Sequence, residues 1–402
     1  MSDTRSMFSL PRTVVMLGVV SLLTDASSEM IYPLLPLFLV TTLGTSATFI
    51  GLIEGVAEST ASLLKLASGW WSDRLGRRKP IVVAGYTLSA CARPLVALAG
   101  AGWHVLVIRF TDRVGKGVRT APRDALLAVS TQPDSWGKAF GFHRAMDHTG
   151  AIIGPLIASA LLAWVLTDLR VLFALAAIPG ILAVALLVTA VKEPSVASPS
   201  ADPPIRLSLA PFSPRFKAVL GVVTLFTLGN SSDAFLLLKA NAAGIGAASI
   251  PLLWIVLHLS KAVSSTPAGA LSDRVGRPRL IIAGWLVYAA VYAGFAMADA
   301  AWQIWLLFAV YGLFFGLTEG VEKAYVADLA PAEHRGTAYG LYHAAVGVAA
   351  LPSSLLMGLI WEQVSPAAAF SFGATLALLA SVLFLTALRA PERTNENQAS
   401  PV

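Results

Sequence analysis

The sequence predicts an all-α membrane protein whose twelve transmembrane helices form two pseudo-symmetric six-helix halves, with both termini in the cytoplasm. Three observations lead to this fold class: a composition poor in charge, twelve apolar runs, and a motif that recurs 200 residues further along the chain. An apolar run of about 20 residues is long enough to cross a bilayer as a helix.

Composition excludes an ordinary soluble protein. The chain has 402 residues, of which 56% are hydrophobic and 13% are charged. Soluble domains carry about 25% charged residues, which keep their surfaces hydrated. The one cysteine, Cys91, excludes an internal disulfide framework and a cysteine-based zinc site.

The twelve predicted spans follow each other through mostly short connections. They lie at 13–40, 47–70, 80–100, 103–126, 138–165, 169–191, 216–240, 248–270, 280–298, 302–326, 337–361 and 367–389. The exception is the proline-rich segment 192–215, which we interpret as a cytoplasmic linker between a first half (1–191) and a second half (216–402).

The basic residues orient the chain. With the N-terminus inside, seventeen Lys and Arg lie in cytoplasmic segments, whereas the outer loops contain only Arg170. Short cytoplasmic loops are enriched in Lys and Arg, so both termini are predicted to be cytoplasmic. The net charge of +6 therefore reflects membrane orientation, and we expect no nucleic-acid partner.

The two halves share motifs at equivalent positions. The segment from Gly69 to Arg77 recurs as Gly269 to Arg277, and His143 has His343 as its counterpart. Ser27-Ser28-Glu29 in span 1 corresponds to Ser231-Ser232-Asp233 in span 7. Parallel repeats of this kind are typical of alternating-access transporters, which bind their substrate between the halves near the membrane midplane.

These motifs resemble the major facilitator superfamily over essentially the whole chain. Gly69 to Arg78 matches the superfamily's signature Gly-x-x-x-Asp-Arg-x-Gly-Arg-Arg between spans 2 and 3, and Gly269 to Arg277 matches its second copy. The resemblance implies the major facilitator fold, a monomer, and conformational-switch loops. The residues of those loops are Gly69, Asp73, Arg74, Gly76, Arg77, Arg78, Gly269, Asp273, Arg274, Gly276 and Arg277.

Two further motifs resemble those of proton-coupled exporters in this superfamily. Gly150, Gly154 and Pro155 in span 5 form a Gly-x-x-x-Gly-Pro motif. The arginine associated with proton coupling in span 4 matches either Arg109 or Arg113. The arginines of the signature loops are expected to pair with acids of the other half in one conformation and to separate from them in another.

Twenty-one charged residues fall inside the predicted spans. Each costs about 2.5–3.5 kcal/mol at the centre of a membrane helix, so these side chains must line an aqueous cavity or form ion pairs. The candidate proton carriers are Asp25, Glu29, Glu54, Glu58, Asp233, Glu319 and Glu322. For each acid, the alternative is a permanent salt bridge.

The remaining polar residues of the spans are candidates for a substrate cavity. They are Arg109, Asp112, Arg113, Lys116, Arg119, His143, Arg144, Asp147, His148, His258, Lys261, Lys323 and His343. In span 4, the charged residues occupy one face of the helix. Imidazole and carboxylate groups could also bind a transition metal, but nearby arginines disfavour a cation, and we predict no metal site.

The sequence therefore predicts a secondary transporter of the inner membrane and no enzyme. No Gly-x-x-x-x-Gly-Lys-Ser/Thr loop is found, so we expect the proton gradient, and no cofactor, to supply the energy. The favoured hypothesis is proton-coupled efflux of a small organic solute by antiport, and the alternative is a proton symporter that imports a metabolite or a metal chelate. The expected partners are the lipid bilayer, protons and the solute.

Overall fold

The computed structural model describes residues 10–75, 78–132, 135–193, 208–331 and 334–388, and within these ranges every regular element is helical. The first half contains span 1 (Arg12–Glu29, Tyr32–Leu34 and Leu35–Thr41), span 2 (Ala47–Leu75), span 3 (Lys79–Ala92 and Arg93–Leu98), span 4 (Gly102–Val129), span 5 (Trp136–Trp164) and span 6 (Leu169–Leu175 and Ala177–Ala190). The second half contains span 7 (Pro214–Gly229 and Ala234–Ala242), span 8 (Ile250–Val275), span 9 (Arg277–Met297), span 10 (Ala301–Leu329), span 11 (Arg335–Gln363) and span 12 (Pro366–Ala387).

The predicted layout of twelve spans in two halves is confirmed. Ten of the described spans are long and apolar enough to cross a membrane by composition alone. Spans 4 and 8 are not among these ten, and span 4 contains seven charged residues. Most of the predicted linker, residues 194–207, lies outside the described residues, so the predicted boundaries of the halves stay predictions.

Spans 1 and 7 are both interrupted near their middle. In span 1 the α-helix ends at Glu29 and is followed by a 3-10 turn, Tyr32–Leu34, because Pro33 and Pro36 cannot continue the helical hydrogen bonding. In span 7 the helix ends at Gly229 and resumes at Ala234, and the sequence analysis did not anticipate this break. The breaks leave backbone N–H and C=O groups beside the acids Glu29 and Asp233 without helical hydrogen bonds. Neighbouring groups or water can form hydrogen bonds with them instead.

Glycines allow the halves to pack closely where span 2 lies along span 11. A Cβ atom on Gly51 would lie 2.2 Å from the carbonyl oxygen of Ser354, and one on Gly358 would lie 2.5 Å from that of Ala47. The Ser59 hydroxyl also donates a hydrogen bond of 2.6 Å to the carbonyl oxygen of Gly347. Small residues at such crossings favour helix association in membranes.

The two halves share an apolar core at their outer ends. Leu34 and Phe38 of span 1 belong to the same buried cluster as Phe235 and Leu253 of the second half. A separate cluster around Val20, with other residues near the cytoplasmic ends of spans 1, 3, 4 and 6, lies within the first half alone. Apolar packing therefore joins the halves on the outer side of the membrane.

Candidate binding cavity

A cavity of about 620 Å³ separates the two halves below this shared core. Its wall includes Arg123 and Arg144, near the cytoplasmic ends of spans 4 and 5, and Lys323 of span 10. At the other end, Tyr32 and Trp254 close it, with their ring centroids 5.2 Å apart. This arrangement is an inward-facing conformation.

Most of the predicted site residues line this cavity. They are Asp25, Glu29, Glu58, Arg109, Asp112, Arg113, Lys116, Arg119, Arg144, Asp147, His148, Asp233, His258, Lys261, Glu319 and Lys323. Four predicted residues are not part of the lining, namely Glu54, His143, Glu322 and His343. Lys65, Arg93, Arg123 and Asp124, which the sequence analysis did not assign to the cavity, do line it.

Two buried ion pairs anchor span 4 to its neighbours. The Glu54 carboxylate of span 2 accepts hydrogen bonds from Arg109 at 2.8, 2.9 and 3.1 Å. Arg93 of span 3 donates to Asp112 at 2.8 Å and to the carbonyl oxygen of Thr24 at 3.0 Å. Pairs of this geometry compensate the cost of burying both charges, so Glu54 is held in a structural contact.

Other basic side chains of span 4 have weaker partners. Arg113 is 3.7 Å from Glu58 and 4.0 Å from Asp112. Arg119 donates to the Ser89 hydroxyl at 2.7 Å, and its guanidinium carbon lies 4.3 Å from the centre of the Tyr86 ring. Within the described residues, Lys116 has no carboxylate within 4 Å.

The second half contributes its own charged cluster. Lys261 of span 8 lies 2.7 Å from Glu319 of span 10 and 4.4 Å from the centre of the Phe315 ring. Lys323 is 3.8 Å from the same carboxylate. Glu319 is therefore shared between two lysines, and the stronger contact belongs to Lys261.

Glu29 of span 1 connects the halves directly. Its carboxylate accepts a hydrogen bond of 2.8 Å from the indole nitrogen of Trp254 in span 8. Asp25, one turn earlier, faces the cavity, and no described side chain donates a hydrogen bond to its carboxylate. The two acids of span 1 thus differ, since one bridges the interface and the other faces the cavity alone.

Asp233, the counterpart of Glu29, is held within the second half. The Tyr311 hydroxyl donates to its carboxylate at 2.8 Å. Glu322 accepts hydrogen bonds from the Trp285 indole at 2.9 Å and from the Tyr342 hydroxyl at 2.7 Å. These partners are aromatic and neutral, so neither acid has a basic side chain in contact among the described residues.

On span 5, Asp147 is the centre of a local polar cluster. It lies 3.4 Å from His143 and 3.7 Å from Arg144, and the Ser21 hydroxyl donates to it. His258 lines the cavity, yet neither of its ring nitrogens has a hydrogen-bond partner in the part of the chain that the structure describes. Across the described residues, no group of three or more His, Cys, Asp and Glu side chains could hold a metal ion.

The second signature loop forms a network within its own half. Gly276 adopts φ +93° between spans 8 and 9, a conformation that favours glycine. Arg277, which follows it, pairs with Asp328 of span 10, lies 3.8 Å from Asp273, and donates to the carbonyl oxygen of Ala324 at 2.8 Å. Among the described residues, Arg277 therefore pairs within its own half, and the pairing of loop arginines with acids of the other half stays a prediction.

The first signature loop is described only in part. Gly69, Asp73 and Arg74 belong to the cytoplasmic end of span 2, while Gly76 and Arg77 lie outside the described residues. Beyond the loop, the backbone N–H groups of Arg78 and Lys79 donate to the Glu193 carboxylate at 2.5 and 3.2 Å.

The glycines of the span 5 motif fit against span 1. A Cβ atom on Gly150 would lie 2.4 Å from the carbonyl oxygen of Leu22, and one on Gly154 would lie 2.5 Å from that of Ala26 and 3.1 Å from Cβ of Glu29. Pro155 follows within the helix. The motif therefore brings span 5 against the part of span 1 that carries the two acids.

Several partners of the acids were missed in the sequence analysis. Four aromatic side chains donate hydrogen bonds to predicted site residues, namely Trp254, Tyr311, Trp285 and Tyr342. An aromatic residue within an apolar run is normally interpreted as part of the hydrophobic core, so nothing in the sequence assigned them to the site. The polar segment Asn230-Ser231-Ser232 after Gly229 was the available signal for the break in span 7, since such residues favour turns.

Two six-helix halves around a charged central cavity, closed on one side and open on the other, are the architecture of a membrane transporter. The sequence model of the Major Facilitator Superfamily matches residues 17–258 and 229–401. The chain belongs to this superfamily.

Relatives in sequence support the assignment. The chain is 35% identical over 382 residues to an uncharacterized MFS-type transporter of Methanocaldococcus jannaschii, covering 94% of this chain and 95% of the relative. An uncharacterized protein of Mycobacterium tuberculosis is 30% identical over 371 residues, 89% of each chain. A shorter match, 32% identical over 132 residues and 33% of each chain, is to the multidrug resistance protein MdtH of Photorhabdus laumondii.

Solved structures share the fold. The nucleoside transporter NupG superposes with a TM-score of 0.82 at 14% identity, covering 93% of this chain and 99% of the other. A peptide transporter of the POT family superposes with a TM-score of 0.80 at 13% identity, covering 96% of each chain. At these identities the likeness concerns the fold alone.

Proposed function

We propose that the protein is a proton-coupled antiporter of the inner membrane that exports a small organic solute. In this proposal the monomer works in the lipid bilayer without a cofactor or catalytic activity, and the proton gradient supplies the energy. The observation that carries it is the 2.8 Å hydrogen bond between Glu29 of the first half and Trp254 of the second. A titratable group thereby lies in the contact that closes the outer side.

This contact suits antiport for a kinetic reason. An antiporter must not change conformation while it carries neither proton nor solute, because an empty transition would uncouple the two fluxes. An ionised carboxylate makes a charge-assisted hydrogen bond about twice as strong as a neutral one. Ionised Glu29 therefore holds the empty carrier closed on its outer side, and a proton on Glu29 weakens that hold.

The two other cavity acids near the helix breaks extend the scheme. Asp25 lies in the open cavity, where a proton reaches it from the cytoplasm, and Asp233 occupies in span 7 the place that Glu29 occupies in span 1. We assign proton transfer between the two sides of the membrane to Glu29, with Asp25 as its cytoplasmic neighbour. Asp233 is the candidate for a second proton, and its contact with Tyr311 ties it to span 10.

Support for export comes from the span 5 motif and from the shorter relative. Gly150 and Gly154 lie against the segment of span 1 that carries Asp25 and Glu29, so a movement of span 5 is passed on to both acids. The match to a multidrug resistance protein covers 33% of the chain and favours the same direction.

The competing proposal is a proton symporter that imports a metabolite or a metal chelate. Its cavity and acids would be the same, but a symporter must change between its inward-facing and outward-facing conformations while it carries neither proton nor solute. The Glu29–Trp254 contact opposes that return as long as Glu29 is ionised.

The test uses purified protein in liposomes that contain a pH-sensitive dye and experience an imposed proton gradient. Organic anions, organic cations and metal chelates are added one at a time. Protons that move against the solute support antiport, and protons that move with it overturn antiport in favour of symport. We expect Glu29→Gln and Asp233→Asn to abolish the dye response, whereas Asp299→Asn, in the exposed loop before span 10, leaves it unchanged.

If Glu29→Gln and wild type respond alike to a transported solute, Glu29 is not a proton carrier. The dye response of Asp25→Asn is then compared with that of the control Asp299→Asn. Loss of the response in Asp25→Asn alone identifies Asp25 as the proton carrier.

A further inference from the structure

Six basic side chains that face the cavity have no carboxylate at hydrogen-bond distance within the described part of the chain. Two of them have other surroundings, since Arg119 donates to the Ser89 hydroxyl, while Arg144 is 65% exposed and lies 3.7 Å from Asp147. The remaining four are Lys65 of span 2, Arg113 and Lys116 of span 4, and Lys323 of span 10. Other basic groups near them have a close carboxylate, as Arg93 has in Asp112 and Arg109 in Glu54. The four weakly paired cations are therefore the part of the cavity whose charge is left to a ligand.

Arg113 is the most buried of the four. Its side chain is 10% exposed, its nearest described carboxylate oxygen is 3.7 Å away, and its Nε atom has no hydrogen-bond partner among the described residues. A buried guanidinium N–H without an acceptor is costly. Because the guanidinium fork matches the geometry of carboxylate and phosphate groups, an anionic ligand is the partner that suits it.

Lys116 and Lys65 lie beside Arg113. Lys116 follows Arg113 by three residues and shares its helix face. Spans 2 and 4 cross next to Lys116, since a Cβ atom on Gly117 would lie 2.5 Å from Cβ of Leu64. This crossing brings Lys65, the next residue of span 2, to the same level of the cavity.

Lys323 belongs to the opposite wall. Its contact with Glu319 is 3.8 Å long, while Lys261 takes the same carboxylate at 2.7 Å. Lys65 of the first half and Lys323 of the second half line the same cavity. The weakly paired cations thus come from both halves of the protein.

The carboxylates that face this group make only long contacts with it. Glu58 is 3.7 Å from Arg113 and Glu319 is 3.8 Å from Lys323, and neither Asp25 nor Glu58 lies within 4 Å of Lys116 in the described structure. The wall as a whole contains ten basic and eight acidic side chains. The basic residues are Lys65, Arg93, Arg109, Arg113, Lys116, Arg119, Arg123, Arg144, Lys261 and Lys323, and the acids are Asp25, Glu29, Glu58, Asp112, Asp124, Asp147, Asp233 and Glu319.

We propose that Lys65, Arg113, Lys116 and Lys323 bind the oxyanion group of the transported solute, a small organic anion with at least two negative charges. The inference rests on the proposed function and names the substrate class for the same cavity. An anion bound to three cations of the first half and one of the second draws the halves together at the cytoplasmic side. Solute binding therefore favours closure of the open end of the cavity.

Binding is measured by calorimetric titration of purified protein in lipid nanodiscs, so the result is independent of transport. The probes are glycerol phosphate, succinate, acetate and tetraphenylphosphonium. We expect glycerol phosphate, succinate or both to bind at least tenfold more tightly than acetate. A phosphate-only response assigns phosphate esters and a succinate-only response assigns dicarboxylates.

We expect two substitutions, Lys116→Gln and Arg113→Gln, to raise the Kd of the bound dianion at least tenfold. Lys116→Gln is the more informative of the two, because Lys116 takes no part in the buried pairs Arg93–Asp112 and Arg109–Glu54. The matched control is Lys239→Gln in span 7, which lies outside the cavity lining and leaves the Kd unchanged. The proposal is overturned if only the cation binds, or if Lys116→Gln binds the dianion like wild type. Dianion binding without any proton movement in liposomes would instead contradict the proposed function and leave this site standing.

Discussion

Arg109 and Glu54 form a buried ion pair within the first half, with side-chain exposures of 9% and 3% and a shortest contact of 2.8 Å. The pair joins span 4 to span 2. Loss of one partner leaves the other charge buried without compensation, which costs about 3–5 kcal/mol.

We therefore expect Glu54→Gln to lower the melting temperature of the detergent-solubilised protein strongly. The double variant Glu54→Gln, Arg109→Gln should recover part of this loss, because neither charge is then buried alone. Thermal unfolding of both variants and wild type measures the coupling. A Glu54→Gln protein with the melting temperature of wild type but no proton transport would show that Glu54 is a proton carrier instead.

Replacement of Trp254 by Phe removes the hydrogen bond to Glu29 and keeps an aromatic ring beside Tyr32. A hydrogen bond to a charged group contributes about 1.5–3 kcal/mol. Since about 1.4 kcal/mol corresponds to a factor of ten, we expect Trp254→Phe to raise the solute-independent proton leak of liposomes by roughly tenfold or more.

The control for this experiment is Trp302→Phe, because Trp302 is 67% exposed at the start of span 10. Its leak should equal that of wild type. Equal leak rates for Trp254→Phe and wild type would mean that the contact with Glu29 does not hold the outer side closed.

Gly154→Ala places a methyl group 2.5 Å from the carbonyl oxygen of Ala26, so spans 1 and 5 must move apart. Overpacking of this kind costs about 1–3 kcal/mol. We expect a lower melting temperature together with a reduced transport rate, because Glu29 lies at the same contact. Gly141→Ala, on the same helix with open space around it, should change neither quantity. If Gly154→Ala transported at the rate of wild type, the packing of the span 5 motif against span 1 would not affect proton transfer at Glu29.

Asp328→Asn removes the partner that ties Arg277 of span 9 to span 10. Both side chains are partly exposed, and such pairs contribute only about 0–1 kcal/mol to stability. We expect the melting temperature to stay near that of wild type while the transport rate falls several-fold, because the signature loop loses its anchor. Arg279→Gln is the matched control, because the described hydrogen bond of the Arg279 side chain goes to the nearby carbonyl oxygen of Val275 and not to span 10. If Asp328→Asn lowered the melting temperature as much as Glu54→Gln does, the Arg277–Asp328 pair would be needed for stability, and the prediction would be wrong.

The parts of the fold that depend on composition could be predicted from the sequence. The twelve spans follow from apolar length, and the cytoplasmic side follows from the basic residues. The helix break in span 1 follows from Pro33 and Pro36, whereas the break in span 7 has only short polar residues as its signal.

The pairing of charges could not be predicted, because it depends on how closely the helices approach. Span 4 presents Arg109 and Arg113 on one face, and only the packing of span 2 decides that Arg109 has a close acid while Arg113 does not. The same holds for Glu29, since its partner is an indole 225 residues away in the other half. The sequence identified the charged residues of the cavity, and the packing of the helices separates the structural pairs from the groups that remain available.

The cavity described above also carries solvent. At about 620 Å³, it holds on the order of tens of water molecules, each of which occupies about 30 Å³ in the liquid. Closing its cytoplasmic end expels that water on one side, and reopening on the other side takes up new water. Each opening or closing therefore moves water as well as side chains, although the water expelled and taken up on each side balances over a full cycle. A solute too large to enter the cavity withholds water from it, and so favours conformations in which the cavity is closed.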